Sequence, residues 1–370
     1  MGVPQGPGRR LVLPAVLLSL ILGACAIEQP ETEQLRAPVC AAGQIDGEVV
    51  LLSRPDQMSP EVIDEFERRY AVDVVERVYE NEDDLLSRVT AGADDFDVVV
   101  VADYLAETLQ RGGQLFPLDP IALPGRVHLD PKFDRHQDEE DDFYAVPFLW
   151  GTVGIGLNLN VVGEDAEPTW GLVFDTERAW IYSGRVSMLE EGRQVLAAAM
   201  LYLGNSPNLA DSDRVREAAE AAAAAKAHLR GFDSETYGVR LAEGVLDVAH
   251  GRSDVFIEAL PPESTDFRYI IPQEGAVAWV DTLAIPTTAL HPCSAHSFID
   301  FVLEPENGAS VANYAGVATP NLAAIQHVSL ELAGNPHIYP PPDVRDRITV
   351  LDYSENLNRL YAEEFVIVES

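Results

Sequence analysis

Three cysteines, eight histidines and 61 carboxylates are the side chains of this 370-residue sequence that could bind a metal, attack a bond or hold a cation. Their spacing speaks against the first two. The chain has no His-Glu-x-x-His pair for zinc, no Gly-x-Ser-x-Gly turn to expose a nucleophile and no Walker loop to cradle phosphate. The histidines stand singly, and His136 and His250 read as surface or internally satisfied residues. Asp138 to Asp142 are consecutive acids, but a calcium loop alternates its oxygen ligands about a central glycine, so this run reads as a solvated loop. Gly154 and Gly156 could open a dinucleotide turn, yet Leu159 stands where the third glycine belongs, and no helix is expected after it. No metal and no cofactor is implied. What remains is carboxylate chemistry, the holding of positive charge.

The charge balance narrows the partners. Lys132 and Lys226 are the only lysines, so 23 of the 25 basic residues are arginines, and the formal net charge is −36. A chain this acidic has no means of neutralising phosphates, which excludes a nucleic-acid binder. The excess also keeps a protein soluble and monomeric at the expense of self-repulsion, and it suits a solvated surface in a saline habitat. With 47% hydrophobic residues the chain has material for a buried core, and its length predicts two domains.

The N-terminus reads as an address. Arg9 and Arg10 precede Leu11 to Leu22, a run apolar except for Ser19. That is too short to span a bilayer, which takes about 20 residues, and it matches the apolar core of a secretory signal. It ends in Leu22-Gly23-Ala24-Cys25, similar to the lipobox of bacterial lipoproteins, so residues 1–24 are expected to be removed and Cys25 to carry the lipid. Residues 25–44 read as a tether. Export places the body in an oxidising compartment. There Cys40 and Cys293 are an even pair, expected to bridge, with two buried free thiols as the alternative.

The elements that must position any site follow an α/β rhythm. Gly47–Ser53 reads as a strand, then Ser59 and Pro60 open a helix along Val62, Ile63, Phe66 and Tyr70. Val72–Tyr79 is a second strand, Leu85–Val89 a short helix, and Phe96–Ala102 an unbroken apolar strand that needs cover on both faces. This is the doubly wound pattern. Its ligands sit at the carboxyl ends of strands, here Ser53–Gln57 and Ala102–Tyr104. Further on, Val186–Leu189 reads as a strand, and helices are expected at Gln194–Leu203, Val215–Leu229 and Ala295–Leu303.

Four blocks in order, Phe96–Tyr104, Tyr144–Asn158, Trp279–Pro286 and Thr319–Ala324, resemble the periplasmic spermidine/putrescine-binding proteins of ATP-binding cassette importers. The resemblance implies a type II periplasmic-binding-protein fold, two α/β lobes with a ligand cleft and hinge crossings at Tyr144–Asn158 and Trp279–Pro286. The implied layout is residues 45–148 and 282–345 in lobe 1 and 149–281 in lobe 2, with 346–370 assigned to neither. It also implies a monomer that performs no catalysis. Such a protein captures a polyamine-like cation outside the cytoplasm, anchored through Cys25, and delivers it to a permease and ATPase.

In that family aromatic faces sandwich the methylenes and carboxylates meet the ammonium groups, as the alternation of apolar and cationic segments in a polyamine requires. Trp279, Asp281 and Tyr104 match in type and spacing, while Glu191 and Asp56 each exchange one acid for the other. Elsewhere the pattern changes. Arg54 and Gln57 replace two aromatics of the first loop, Gln194 replaces an acid, and Gly251-Arg252 and Val317 stand where further aromatics are expected. Converging Asp56, Glu191, Asp281 and Trp279 would favour a cation, and converging Arg54 and Arg252 an anionic or zwitterionic metabolite. A plugged cleft would favour an envelope sensor or interaction protein.

Overall fold

The computed structural model describes residues 1–2, 36–92, 95–135, 143–260, 265–352 and 354–369. The signal segment from residue 3, Cys25, His136 and the acidic run 138–142 lie outside them.

The first three strands, β1 (Val49–Ser53), β2 (Val74–Val78) and β3 (Val98–Ala102), lie parallel in the order β2-β1-β3. Val98 to Val101 are wholly buried, as a parallel strand covered on both faces requires. The helix Pro60–Tyr70 links the first two strands and turns Val62, Ile63 and Phe66 inward. Ser59 stands at its N-cap without a capping bond, its hydroxyl lying 3.3 Å from that of Ser310 instead. The helix Glu82–Ala91 starts three residues before the expected Leu85, because Asn81 accepts from the Asp84 N–H and caps an acidic first turn.

Beyond β4 (Val146–Asn158) come β5 (Val186–Met188), β6 (Leu229–Phe232), β7 (Val248–Arg252), β8 (Phe267–Ile270), β9 (Ala276–Ala284) and β10 (Ile348–Val350). Among the described residues they form one mixed sheet in the order β2-β1-β3-β9-β4-β7-β5-β6, with β10 on β9 and β8 on β4. The joint is the antiparallel pair β4 and β9, buried along its whole length. One end of β9 pairs with β3 on the first flank, and the far end of β4 pairs with β7 on the second. Each long strand therefore runs from one α/β lobe into the other, where the hinge crossings were expected.

The glycines of β4 are close-packing positions. A Cβ on Gly154 would strike the Ile270 carbonyl and Tyr269, and one on Gly156 would strike Phe256 and Leu241. A single helical turn, Leu159–Val162, does follow, contrary to the expectation of none; Asn158 caps it by accepting from the Asn160 N–H. It carries no glycine-lined phosphate cradle.

Cys40 and Cys293 are joined as a disulfide that ties the start of the described body to the helix Pro292–Val302. The terminal helix Glu355–Glu369 packs on the helices Gly192–Tyr202 and Ser212–Lys226 of the second flank. Arg216 grips Glu364 there, and the Tyr361 hydroxyl donates to the Pro207 carbonyl at 2.7 Å. Among the described residues no helix is long and apolar enough to cross a membrane.

Candidate functional site

A cavity of about 560 Å³ opens where the ends of β1 and β7 meet the middle of β9. On the first flank the chain leaves β1 and makes a tight loop. Asp56 takes a left-handed backbone (φ 58°), which aspartate tolerates better than most residues. The Arg54 N–H donates to Gln57 Oε1 at 2.9 Å, closing the turn. Gln57 Nε2 then donates to Asp281 Oδ2 at 2.8 Å, and Arg54 Nη2 donates to the same oxygen at 2.6 Å. Asp281 itself sits on β9 opposite Ala102 of β3 and Leu149 of β4, and is only 3% exposed. A carboxylate so enclosed must be paired. Arg54 pairs it, and Asp281's charge holds the Arg54 guanidinium above its ordinary range.

The second flank supplies a matching construction. Arg252 ends β7 and Asp254 lies in the first turn of the helix Ser253–Ala259. The guanidinium forks onto the carboxylate, Nε to Oδ1 at 3.1 Å and Nη2 to Oδ2 at 2.9 Å. Burial disfavours both charges, and their mutual attraction outweighs it, so Arg252 is shifted up and Asp254 down. The Arg252 guanidinium also lies 4.0 Å from the centroid of the Trp279 ring, within cation–π range. Trp279 can lie flat here because its partner on β4 is Gly151; a Cβ there would sit 2.6 Å from the indole. The Trp279 Nε1 has no hydrogen-bond partner among the described residues.

Arg54, Asp56, Gln57, Trp279 and Asp281 thus line one cavity, joined by Arg252 and Val317. Asp254, Glu258 and Tyr314 complete the wall and were not singled out in the sequence. The strand-end rule that drew attention to Ser53–Gln57 reaches Asp254 and Glu258 only once β7 is seen to end at Arg252 with a helix beginning at once, and no strand was expected there. Tyr314, whose hydroxyl donates to Asp56 Oδ1 at 3.2 Å, carries no such signal.

The other expected residues lie apart from this cavity. The Tyr104 hydroxyl donates to Glu82, and burial pushes its phenol well above the ordinary range. Tyr104 lines a separate groove of about 460 Å³ against the terminal helix. Glu191 accepts from the Ser234 hydroxyl at 2.6 Å. Gln194 is half-buried, its Oε1 without a partner among the described residues. His250 is buried in β7, where desolvation lowers it to about 3 and keeps it neutral.

The cavity therefore carries two guanidiniums and four carboxylates, from Asp56, Asp254, Glu258 and Asp281, around one indole. Its walls come from both flanks of the crossing strands β4 and β9.

Comparison with known proteins agrees with that architecture. The family model described as a bacterial extracellular solute-binding protein matches residues 61–339. The putrescine-binding periplasmic protein PotF of Escherichia coli is 30% identical over 330 residues, which cover 85% of this chain and 89% of the relative. A putrescine/cadaverine-binding protein of Pseudomonas aeruginosa is 28% identical, over 83% of this chain and 90% of the relative. Among solved structures, the spermidine/putrescine substrate-binding protein PotD of Streptococcus pneumoniae superposes with a TM-score of 0.76 at 22% identity, covering 88% of this chain and 99% of that one. The chain belongs to the bacterial extracellular solute-binding proteins, and its work is capture of a solute outside the cytoplasm, not catalysis.

Proposed function

We propose that the protein is the lipid-anchored solute receptor of an ATP-binding cassette importer and that it captures a short polyamine-like cation, of the putrescine class, in the cavity beside Trp279. The supporting observation is the charge count of the wall. Arg54 is offset by Asp281 and Arg252 by Asp254, which leaves Asp56 and Glu258 as surplus negative charge. Two surplus carboxylates match a dication, and the indole offers an apolar face to its methylenes. Relatives named for putrescine and cadaverine support the same class. In this reading residues 45–148 and 282–345 form one lobe and 149–281 the other. The solute draws them together by touching both, and the closed form is what the permease and ATPase recognise. Lipid on Cys25 and the tether 25–44 keep the monomeric receptor near its importer.

One observation favours a second reading. Arg54 and Arg252 face the same cavity and repel each other across it; an anionic group between them would relieve that repulsion, which suits an ω-amino acid. Calorimetry with putrescine and with an ω-amino acid of equal length tests both. Binding of putrescine alone supports the main reading; binding of the amino acid alone replaces it.

A further inference from the structure

The indole face and the buried carboxylate that a linear amine would use are already held by side chains of the protein. Arg252 lies on Trp279 at 4.0 Å and Arg54 on Asp281 at 2.6 Å. Further carboxylates lie within electrostatic reach of the two arginines. Glu82, bonded to the Tyr104 hydroxyl, feels the charges of Glu191, Arg54 and Arg252. Tyr237, whose hydroxyl accepts from the Arg252 N–H at 3.0 Å, feels Asp254, Arg252 and Glu191. Yet neither Glu82, Tyr104, Tyr237 nor Glu191 lines the cavity, whereas both arginines do. Each guanidinium is thus a wall of the cavity that already covers a group an amine would use.

We propose that Arg252 is a length filter: stacked on Trp279 and clamped by Asp254, it ends the cavity where a longer polyamine would continue toward Glu82 and Glu191. The clamp is what makes it effective. A free arginine could swing aside at the cost of its rotamer preferences alone. This one would leave the half-buried Asp254 carboxylate without its partner, and it would surrender an indole contact. A diamine fits without moving it. A triamine must either displace it or bring a third ammonium against a guanidinium, and like charges so placed repel strongly when desolvated.

This inference rests on the cavity taking an amine, and the test separates the two claims. Wild type and the double variant Arg252→Gln/Asp254→Asn are titrated calorimetrically with putrescine and spermidine. The exchange removes one charge of each sign, so the net charge of the wall is unchanged while the clamp and the stacked guanidinium are lost; the ratio of the two affinities, not either one alone, is the readout. The wild type is expected to bind putrescine at least tenfold more tightly than spermidine, and the variant to lose that preference or reverse it. Tighter spermidine binding by the wild type overturns the inference before any variant is made. An unchanged ratio in the variant, with putrescine still bound by both proteins, overturns it while leaving the amine reading intact. Failure of the wild type to bind either amine removes both.

Discussion

Asp281 is held by two donors on one oxygen, and the donors differ in what they would lose. Gln57 is neutral, whereas Arg54 is a cation that a ligand's ammonium must displace or accommodate. Two substitutions should therefore move affinity in opposite directions. Asp281→Asn is expected to weaken putrescine by about 2–5 kcal/mol, because a desolvated ammonium loses its counter-charge. Arg54→Gln is expected to tighten it, by removing a competitor for the same oxygen and one repelling charge. Calorimetry at one pH reads both, and parallel losses would take Arg54 out of the competition. The sequence made Trp279 and Asp281 legible because they lie in a matching block, and Arg54, Asp56 and Gln57 because they follow the end of a strand. Asp254 and Glu258 were not legible. Their placement depends on how β7 turns into the following helix, and that turn brings them beside Trp279, more than twenty positions further along the chain.

The crossing pair β4 and β9 positions the indole, and a single absent methyl makes room for it. Gly151→Ala would place a carbon 2.6 Å from the Trp279 ring, too close for any side-chain contact, so the ring or the strand pair must shift. Overpacking of this kind costs about 1–3 kcal/mol. The expected result is a lower melting temperature together with weaker solute binding, since the moved ring is a cavity wall. A fall in melting temperature with affinity intact would show that the wall is not the part that yields. On the neighbouring strand β7, His250 sets a pH dependence. Its folded pKa of about 3 lies below the ordinary 6.5, so between these values the unfolded chain binds a proton that the folded chain refuses. Stability is therefore complete above pH 6.5 and falls as the pH drops. His250 alone should contribute a loss of about 2 kcal/mol between pH 7 and 5. Urea unfolding of wild type and His250→Asn at the two pH values measures it; equal pH slopes in both would exclude His250 as the cause. Strands such as Val98–Ala102 were readable because an uninterrupted β-branched run has few other ways to be buried. β8 and β10 escaped notice because they are short, partly exposed edge pieces whose partners lie far off in the chain. The terminal helix packs on the second flank, but its amphipathic sequence says only that it packs somewhere.

At the scale of the whole molecule the formal charge of −36 acts on folding and on capture together, and salt separates the two. Raising sodium chloride from 0.1 M to 1 M shortens the Debye length from about 10 Å to about 3 Å, which removes most repulsion between distant surface carboxylates. The melting temperature of the unliganded protein should rise. A flat response would mean that local pairs already balance the surface, as Arg178 with Glu167 and Arg359 with Glu363 do at their own sites. Over the same range the association rate of putrescine should fall, because a dication is drawn toward a negative body by the field that salt screens. An ω-amino acid has no net charge and should associate at a nearly constant rate. Stopped-flow measurement of the rate against ionic strength thus tests the sign of the captured charge without altering a residue. If the solute that binds shows no salt dependence while the melting temperature climbs, the acidic surface serves solubility and not capture, and the cavity's own two-to-four balance of guanidiniums and carboxylates must account for recognition unaided.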